Sequence, residues 1–429
     1  MKPQNFEERI IWYSLMGTYI LYVLGLIYLV NSTIAWILLF YLCKKLWNQT
    51  EDTPLENRID IPWVIWIWII SMLVMAIATV IGLMDFDYDQ KAIIRGLLNW
   101  TRDWALLALF PLAGSCLDIR PQLIYRAICV ICLQSLCIIP VCYLASALHV
   151  PPLLYSSPLE RITQNGPIYY NVLLYIIDYD SGSVRLSLFT PWAPALGLLS
   201  CIYFFFALQE RKKKWRWIGI VGSIVMGIVS ASRSTIIFLP IVSILIWFLT
   251  NFYRPSVYIG AGITSFMAGI FSPVILESGR DFKDAFTGAR ASSSLVRERL
   301  ERIALERSKE APIWGHGNLE PGSKVVEHMP IGSHHTWKGL LFVKGSVGFF
   351  AFLVPVLFSL IDLAIKSQKD ATARVALSFF LTLLFFTSTD TQEILAYLYW
   401  PGLVLMGIAF SGNRKNTTCL SDSPIVISS

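Results

Sequence analysis

The chain has 429 residues and a formal net charge of +6, and 55% of its residues are apolar. Only 15% are charged, against about 25% in an ordinary soluble domain, so the composition excludes that class and is typical of a polytopic helical membrane protein. The positive charge lies in short loops and does not predict a nucleic-acid partner. We expect no cleavable signal peptide in the N-terminal segment MKPQNFEERI.

Apolar runs of about 20 residues recur along the chain, and a helix of that length crosses a bilayer core of about 30 Å. They predict an all-α, polytopic integral membrane protein with about twelve transmembrane helices. The predicted spans are 10–30, 33–47, 62–83, 94–115, 123–147, 187–208, 217–231, 234–252, 256–275, 338–364, 374–389 and 394–411. We divide the chain into N-terminal transmembrane helices at 1–184, a transmembrane core at 185–411 and a cytoplasmic tail at 412–429.

Basic clusters between the spans set the predicted orientation. With the N-terminus in the cytoplasm, the cytoplasmic side receives Lys44-Lys45, Arg120 with Arg126, the segment 210–216, Arg254, Lys366–Arg374 and Arg414-Lys415. This distribution agrees with the positive-inside rule, with Lys91 and Arg95 as exceptions. We therefore expect a multi-pass protein with both termini in the cytoplasm.

The polar loops that remain fall on the extracytoplasmic face. They are Asp85–Asp89, 148–186, Ser230–Ser234, 276–337 and Thr387–Glu393. Within the largest loop, 276–337, the segment 292–311 predicts an amphipathic helix that ends at Pro312. Its predicted apolar face consists of Leu295, Val296, Leu300, Ile303 and Ala304.

Histidines are concentrated where this loop meets the next span. Four of the five histidines of the chain lie in the loop, namely His316, His328, His334 and His335. The pair His334-His335 stands at the membrane boundary, where a lipid-linked substrate meets water. Histidine can accept or donate a proton near neutral pH, so both are candidate catalytic residues.

Arginines form a second group of candidates on the same face. Arg233 opens a span in SASRSTIIFLP, Arg185 precedes one in SVRLSLFTPW, and Arg297 lies on the predicted loop helix. A guanidinium binds phosphate through bidentate, permanently charged hydrogen bonds. The alternatives are a headgroup anchor for Arg185 and Arg233, and a solvated ion-paired face for Arg297.

Metal and redox sites have weaker signals. The run Asp85-Phe-Asp87-Tyr-Asp89 resembles carboxylates that hold a divalent ion, or it is a polar turn. The loop histidines match no zinc-binding pattern. Cys129 and Cys132 form a CxxC pair in an apolar helix, which favours packing over redox chemistry. We predict no metal and no cofactor.

Three segments together resemble the superfamily of O-antigen ligases and O-antigen polymerases. SASRSTIIF is similar to its Ser-Arg motif at the start of a span, and Arg297 followed by EAPIWGHGN is similar to its arginine-containing loop helix. The segment from His334 to Gly345-Ser-Val-Gly348 is similar to its His-Asn-x-x-Leu run, with His334 on the family histidine. Arg185 resembles a further arginine of the family.

The resemblance implies a GT-C-like membrane enzyme of the bacterial inner membrane, with its active site on the extracytoplasmic side. It implies transfer of a glycan from a polyprenyl-diphosphate carrier to an acceptor sugar hydroxyl, with inversion and without a metal. His334, or else His335, would be the general base, and Arg233, Arg297 and Arg185 would bind the diphosphate. The partners would be the lipid-linked donor, membrane lipid, a flippase, chain-length proteins, and lipid A-core or a growing polysaccharide as acceptor.

Of the two activities in this superfamily we expect that of a ligase, with a polymerase as the alternative. A ligase transfers to lipid A-core, whereas a polymerase transfers to another repeat unit by the same chemistry. A transporter of lipid-linked glycans is the alternative from another class. It predicts paired broken helices and charges near mid-membrane, while the Arg and His candidates lie at one face.

Overall fold

The computed structural model describes residues 2–50, 58–163, 166–178, 182–273, 276–277, 280 and 291–412. Most of these residues are helical. The helices are α1 (Phe6–Met16), α2 (Thr18–Val23), α3 (Ile27–Trp47), α4 (Trp63–Asp85), α5 (Gln90–Arg102), α6 (Leu106–Cys116), α7 (Pro121–Ala147), α8 (Leu159–Thr163), α9 (Ala193–Leu208), α10 (Lys213–Val229), α11 (Arg233–Thr250), α12 (Pro255–Ile270), α13 (Ala291–Arg307), α14 (Thr336–Lys366), α15 (Ala371–Phe386) and α16 (Ala396–Ser411).

In the part of the chain that the structure describes, six helical segments are long and apolar enough to cross a membrane, which confirms the prediction of a helical membrane protein. They are α3, α4, α7, α11, α14 and Glu393–Ser411, and α9, α12 and α15 are shorter apolar helices. The number of predicted spans, twelve, stays a prediction.

Two predicted spans are divided between separate helices. The span at 10–30 is divided among α1, α2 and the start of α3, because Gly17 ends α1 and Gly25 takes a φ of +65°. A Cβ on Gly25 would lie 2.3 Å from the Cβ of Ser157, so glycine is required there. The span at 94–115 is interrupted at Asp103, which separates α5, where no residue is buried, from α6, where every residue except Leu109 is buried.

Close helix packing at the centre depends on glycine. A Cβ on Gly114 of α6 would lie 2.1 Å from the carbonyl oxygen of Val404, and one on Gly407 of α16 would lie 2.0 Å from that of Pro111. The backbones of α6 and α16 therefore touch directly, as small residues allow in membrane bundles. This pair forms the centre against which the other helices pack.

The CxxC pair belongs to the packed core. Cys129 and Cys132 are both fully buried in α7. A Cβ on Gly219 would lie 2.7 Å from the Sγ of Cys129, and one on Gly222 would lie 2.6 Å from the Cβ of Cys132. The side chains of the two cysteines fill the space beside two glycines of α10, which confirms the packing interpretation.

Two short hairpins order the loop before α9, a detail that the all-α prediction did not include. Strands β1 (Leu153–Ser156) and β2 (Asn171–Leu173) are antiparallel, as are β3 (Ile176–Ile177) and β4 (Val184–Arg185). Directly after β4, the amide of Leu186 donates to the carbonyl oxygen of Val229 at 3.0 Å. The second hairpin is thereby fixed to the end of α10, close to the turn that contains Arg233.

The predicted loop helix is present as α13. Val296, Leu300 and Ala304 are buried against a small core formed with Val326, Ile331 and Phe342, whereas Leu295 is exposed. The apolar face therefore excludes Leu295, contrary to the prediction. Helix α13 therefore packs against the N-terminal part of α14, near Phe342.

Helix α14 is broken at Gly345, where φ is +61° and ψ is −162°. The segment 312–317 fills the break: the amide of His316 donates to the carbonyl oxygen of Phe342 at 2.9 Å, and that of Ser346 donates to Pro312 at 2.9 Å. A Cβ on Gly345 would lie 2.3 Å from the carbonyl oxygen of Ile313. The break separates an upper segment, Thr336 to Lys344, from the rest of α14.

Candidate functional site

Helix α13 connects two of the predicted arginines. Arg233, the first residue of α11, donates from Nη2 to the Oγ of Ser294 on α13 at 3.3 Å. One turn further along α13, Arg297 donates from Nη1 to the carbonyl oxygen of Thr389 at 3.4 Å. The two guanidinium groups therefore lie along one helix, both half-buried, near the start of α11 and the end of α15.

His334 stands next to Arg297, in the turn that leads into α14. Its side chain is half-buried, and its φ of +68° lies in the left-handed region, which His tolerates better than most residues. Burial, and then the charge of Arg297, lower the pKa of His334 to about 4. The imidazole is consequently neutral at pH 7 and can accept a proton.

His335 has a different local role. It is the N-cap of α14, and its Nδ1 accepts a hydrogen bond from the backbone N–H of Lys338 at 3.4 Å. Burial lowers the pKa of His335, and Lys338 lowers it too, whereas Glu301 opposes them. One ring nitrogen of His335 thus caps the first turn of α14, whereas the side chain of His334 is not a helix cap.

Asp390 completes the group and was not among the predicted site residues. Its Oδ2 accepts from the Nε1 of Trp192 at 2.7 Å, and its carbonyl oxygen accepts from the Oγ1 of Thr336 at 2.8 Å. Burial raises the pKa of Asp390 to about 6, against the opposing effects of Trp192 and Arg297. The only sequence signal was its place in the polar turn Thr387–Glu393.

Arg185 is held at the edge of this group. Its Nε donates to the carbonyl oxygen of Ser230 at 3.1 Å, and its Nη1 lies 3.7 Å from the Oδ2 of Asp178. Both side chains of the ion pair are mostly buried. Arg185 therefore fixes the turn Ser230–Ser234 that carries Arg233, and its guanidinium is directed to that turn.

The candidate metal site at Asp85–Asp89 is explained by local backbone structure. Asp89 is the N-cap of α5 and accepts from the backbone N–H of Ala92 at 2.9 Å, and Asp87 has a φ of +53°. The run Asp85–Asp89 is accordingly a turn with a helix cap. Within the described ranges, no group of three or more His, Cys, Asp or Glu could hold a metal ion.

His316 is part of the packing around the break in α14. It is 1% exposed and stacks on Phe342 with ring centroids 4.3 Å apart. Its Nδ1 lies 3.1 Å from the carbonyl oxygen of Phe342, and its Nε2 lies 3.2 Å from the Oε2 of Glu310. His328, by contrast, is exposed.

A second group of ionisable residues, the Lys344 cluster, lies deeper in the bundle. It consists of Asp103 at the break between α5 and α6, Lys344 at the break in α14, and Glu393 at the start of the last membrane segment. The three interact electrostatically, and Glu393 also interacts with Asp390. This cluster was not predictable from the sequence because its members are far apart in the chain.

The group formed by Arg233, Arg297 and His334 has two chemical capabilities. Arg233 and Arg297 provide permanent positive charge and planar donors for a phosphate-containing anion. His334 provides a neutral proton acceptor beside that charge. Comparison of the sequence with models of protein families and with curated proteins finds no match.

Proposed function

We propose that the protein transfers a glycan from a polyprenyl-diphosphate-linked donor to an acceptor sugar hydroxyl at the outer face of the membrane. The observation that carries the proposal is the convergence of Arg233, Arg297 and His334 around α13. These residues are separated by up to 101 positions in the chain, and each is a candidate on its own chemistry.

In this proposal, the arginines stabilise the departing diphosphate. Breaking the bond between the anomeric carbon and the phosphate oxygen adds negative charge to the lipid diphosphate. Arg233 and Arg297 are already in place to receive that charge, which is the part that a metal ion plays in other transferases. Arg185 contributes by holding the turn of Arg233.

His334 acts as the general base in this proposal. A sugar hydroxyl is a poor nucleophile, and removal of its proton during attack on the anomeric carbon assists the reaction. The proton of the hydroxyl moves to the neutral imidazole, the oxygen forms the new glycosidic bond, and the lipid diphosphate leaves. Direct displacement at the anomeric carbon inverts its configuration.

Binding of the diphosphate donor should make His334 a stronger base. Burial, and then the charge of Arg297, depress the pKa of His334 in the free protein. A bound diphosphate offsets the charge of Arg297, so the pKa of His334 rises when the donor is present. The imidazole becomes a stronger base in the complex in which it is needed.

The wider setting belongs to the same proposal. It includes about twelve spans in a GT-C-like arrangement, cytoplasmic termini and a location in the bacterial inner membrane. The acceptor is lipid A-core if the protein is a ligase, or a growing polysaccharide if it is a polymerase. A flippase would deliver the donor to the outer leaflet.

A transporter of lipid-linked glycans is the second candidate, and the Lys344 cluster favours it. Two interrupted segments, one at Asp103 and one at Gly345, meet charged residues inside the bundle. Such features occur in secondary transporters. The two candidates differ in where the donor accumulates when the protein is inactive.

The test uses a strain that lacks the gene and is complemented with wild type or His334→Asn. Its lipopolysaccharide and its lipid-linked glycans are separated on gels. Polymer that accumulates on the outer-leaflet carrier, with lipid A-core unmodified, indicates a ligase, and lipid A-core with a single repeat indicates a polymerase. Donor retained in the inner leaflet would indicate a transporter, and no change in any pool would reject both candidates.

A further inference from the structure

The Lys344 cluster contains one buried cation and two carboxyl groups. Lys344 is 6% exposed, and its Nζ donates a hydrogen bond to the Oγ1 of Thr79 on α4. Asp103 and Glu393 are half-buried, and the Oδ1 of Asp103 lies 3.4 Å from the hydroxyl of Tyr28. The three residues come from three distant parts of the chain, so the folded bundle alone brings them together.

The members of the cluster do not form contact ion pairs. Among the described residues, neither Asp103 nor Glu393 forms a salt bridge with Lys344. The Oε2 of Glu393 is buried and accepts no hydrogen bond from any described group. A carboxylate oxygen without a donor is costly to bury, and protonation of the carboxyl group removes that cost.

The described surroundings of the two carboxyl groups contain no second buried cation. Arg102, at the end of α5, acts on Asp103 but is half-buried at the edge of the cluster. Asp390, which acts on Glu393, is itself opposed by Arg297. The remaining titratable neighbours are the phenols of Tyr28, Tyr169, Tyr397 and Tyr399, which are neutral near pH 7.

Charge balance then requires a proton. Two ionised carboxylates with one buried ammonium leave a net negative charge in a region of low dielectric constant, and like charges at short range disfavour each other. Ionisable groups inside a membrane protein are usually functional for this reason. The cost is removed if the two carboxyl groups together retain one proton.

We propose that Asp103, Lys344 and Glu393 form a proton-binding site inside the membrane bundle, in which the two carboxyl groups share one exchangeable proton. Glu393 lies three residues beyond Asp390, so gain or loss of this proton changes the charge directly below the outer site. Lys344 ends the upper segment of α14, whose first turn follows His334. The inference does not depend on glycan transfer, and its test needs no substrate.

The test is infrared spectroscopy of the purified full-length protein in lipid nanodiscs at pH 8. Ordinary carboxyl groups are ionised at that pH, and so is Asp390, whose pKa is about 6. We expect a band from a protonated carboxylic acid in the wild type, shifted by exchange into D2O. The control variants Asp390→Asn and Glu298→Gln, the latter at an exposed position of α13, should retain it.

Three variants test the sharing of the proton. Asp103→Asn or Glu393→Gln leaves one carboxylate with Lys344, a neutral combination, so either change should abolish the band. Lys344→Met removes the cation, so both carboxyl groups should become protonated and the band should double in area. Size-exclusion profiles and far-ultraviolet circular dichroism confirm that each variant is folded.

Two results would overturn the inference. One is the absence of a protonated carboxyl band in the wild type at pH 8. The other is a band that persists after Asp103→Asn or after Glu393→Gln, because a shared proton requires both carboxyl groups. Failure of the glycan-transfer assay would leave these spectra unaffected, so the two proposals fail independently.

Discussion

Replacement of His334 by asparagine should abolish transfer without damage to the fold. The usual alanine substitution is unsuitable because His334 has a φ of +68°, where a residue other than glycine costs about 1–3 kcal/mol. Asparagine is among the residues that tolerate this region best. His334→Asn therefore removes the imidazole and leaves the backbone preference nearly unchanged.

The expected magnitude follows from the role of a base. A positioned general base contributes about a hundredfold to ten-thousandfold to a rate. At about 1.4 kcal/mol for each factor of ten, His334→Asn should raise the activation free energy by about 3–5 kcal/mol. The change should appear in kcat, with little effect on the KM for the lipid-linked donor, because Arg233 and Arg297 remain.

His335→Asn is the matched control. Asparagine is a preferred N-cap residue, so the cap of α14 that His335 now provides is retained. We expect less than about a threefold loss of activity, since this change removes an imidazole but no base. Both variants differ from wild type by the same chemical replacement at adjacent positions.

The assay measures transfer from a purified lipid-linked donor to acceptor by protein in nanodiscs, with thermal unfolding recorded for each variant. Full activity in His334→Asn together with an inactive His335→Asn would move the base by one residue. Full activity in both would refute the reasoning, because no described histidine of the outer site would then be required.

Four further predictions concern the surroundings of the site. Arg233→Lys should raise the KM for the donor at least tenfold, because an ammonium cannot replace a bidentate guanidinium; unchanged kinetics would make Arg233 a headgroup anchor. The pKa of Asp390 is about 6, so its carboxylate attracts the charge of Arg297 above that pH and is neutral below it; kcat/KM should fall as the pH drops through 6, and Asp390→Asn should remove that step from the pH profile. Asp178→Asn should lower the unfolding temperature, by loss of a mostly buried ion pair, and change donor KM less than Arg233→Lys does. Gly345→Ala should destabilise the protein strongly, since its Cβ would lie 2.3 Å from a carbonyl oxygen, whereas Gly260→Ala, with nothing within 4 Å, should have little effect on the unfolding temperature.

The sequence predicted the membrane class and many helix positions, because hydropathy depends on composition over a window of residues. α4, α7 and α14 all lie close to their predicted spans. The two errors, at 10–30 and 94–115, arose where Gly17 and Gly25, or Asp103, interrupt the helix. A window average does not detect Gly25, whose conformation depends on contact with Ser157.

Individual candidates at the site were predictable when their chemistry was unusual for their location. An arginine at the start of a span, such as Arg233, is conspicuous in an apolar sequence. Asp390, in contrast, stands in an ordinary polar turn, and its importance depends on Trp192 and Arg297, which come from other segments. The sequence also could not show that Arg185 is paired with Asp178.

The break in α14 links the site of Arg233, Arg297 and His334 to the Lys344 cluster. The upper segment of the helix begins just after His334 and ends at Lys344, so one short rigid element carries a residue of each group at its two ends. Its position is fixed at the outer end by Thr336, which bonds Asp390, and at the inner end by Lys344, which bonds Thr79.

The turn before the segment and the break after it both need positive φ, at His334 and at Gly345. A helix without the break would continue in one direction and could not satisfy both ends at once. Glycine at 345 is therefore required for the placement of His334, eleven residues earlier. This is why Gly345→Ala should impair catalysis in any molecules that still fold, as well as stability.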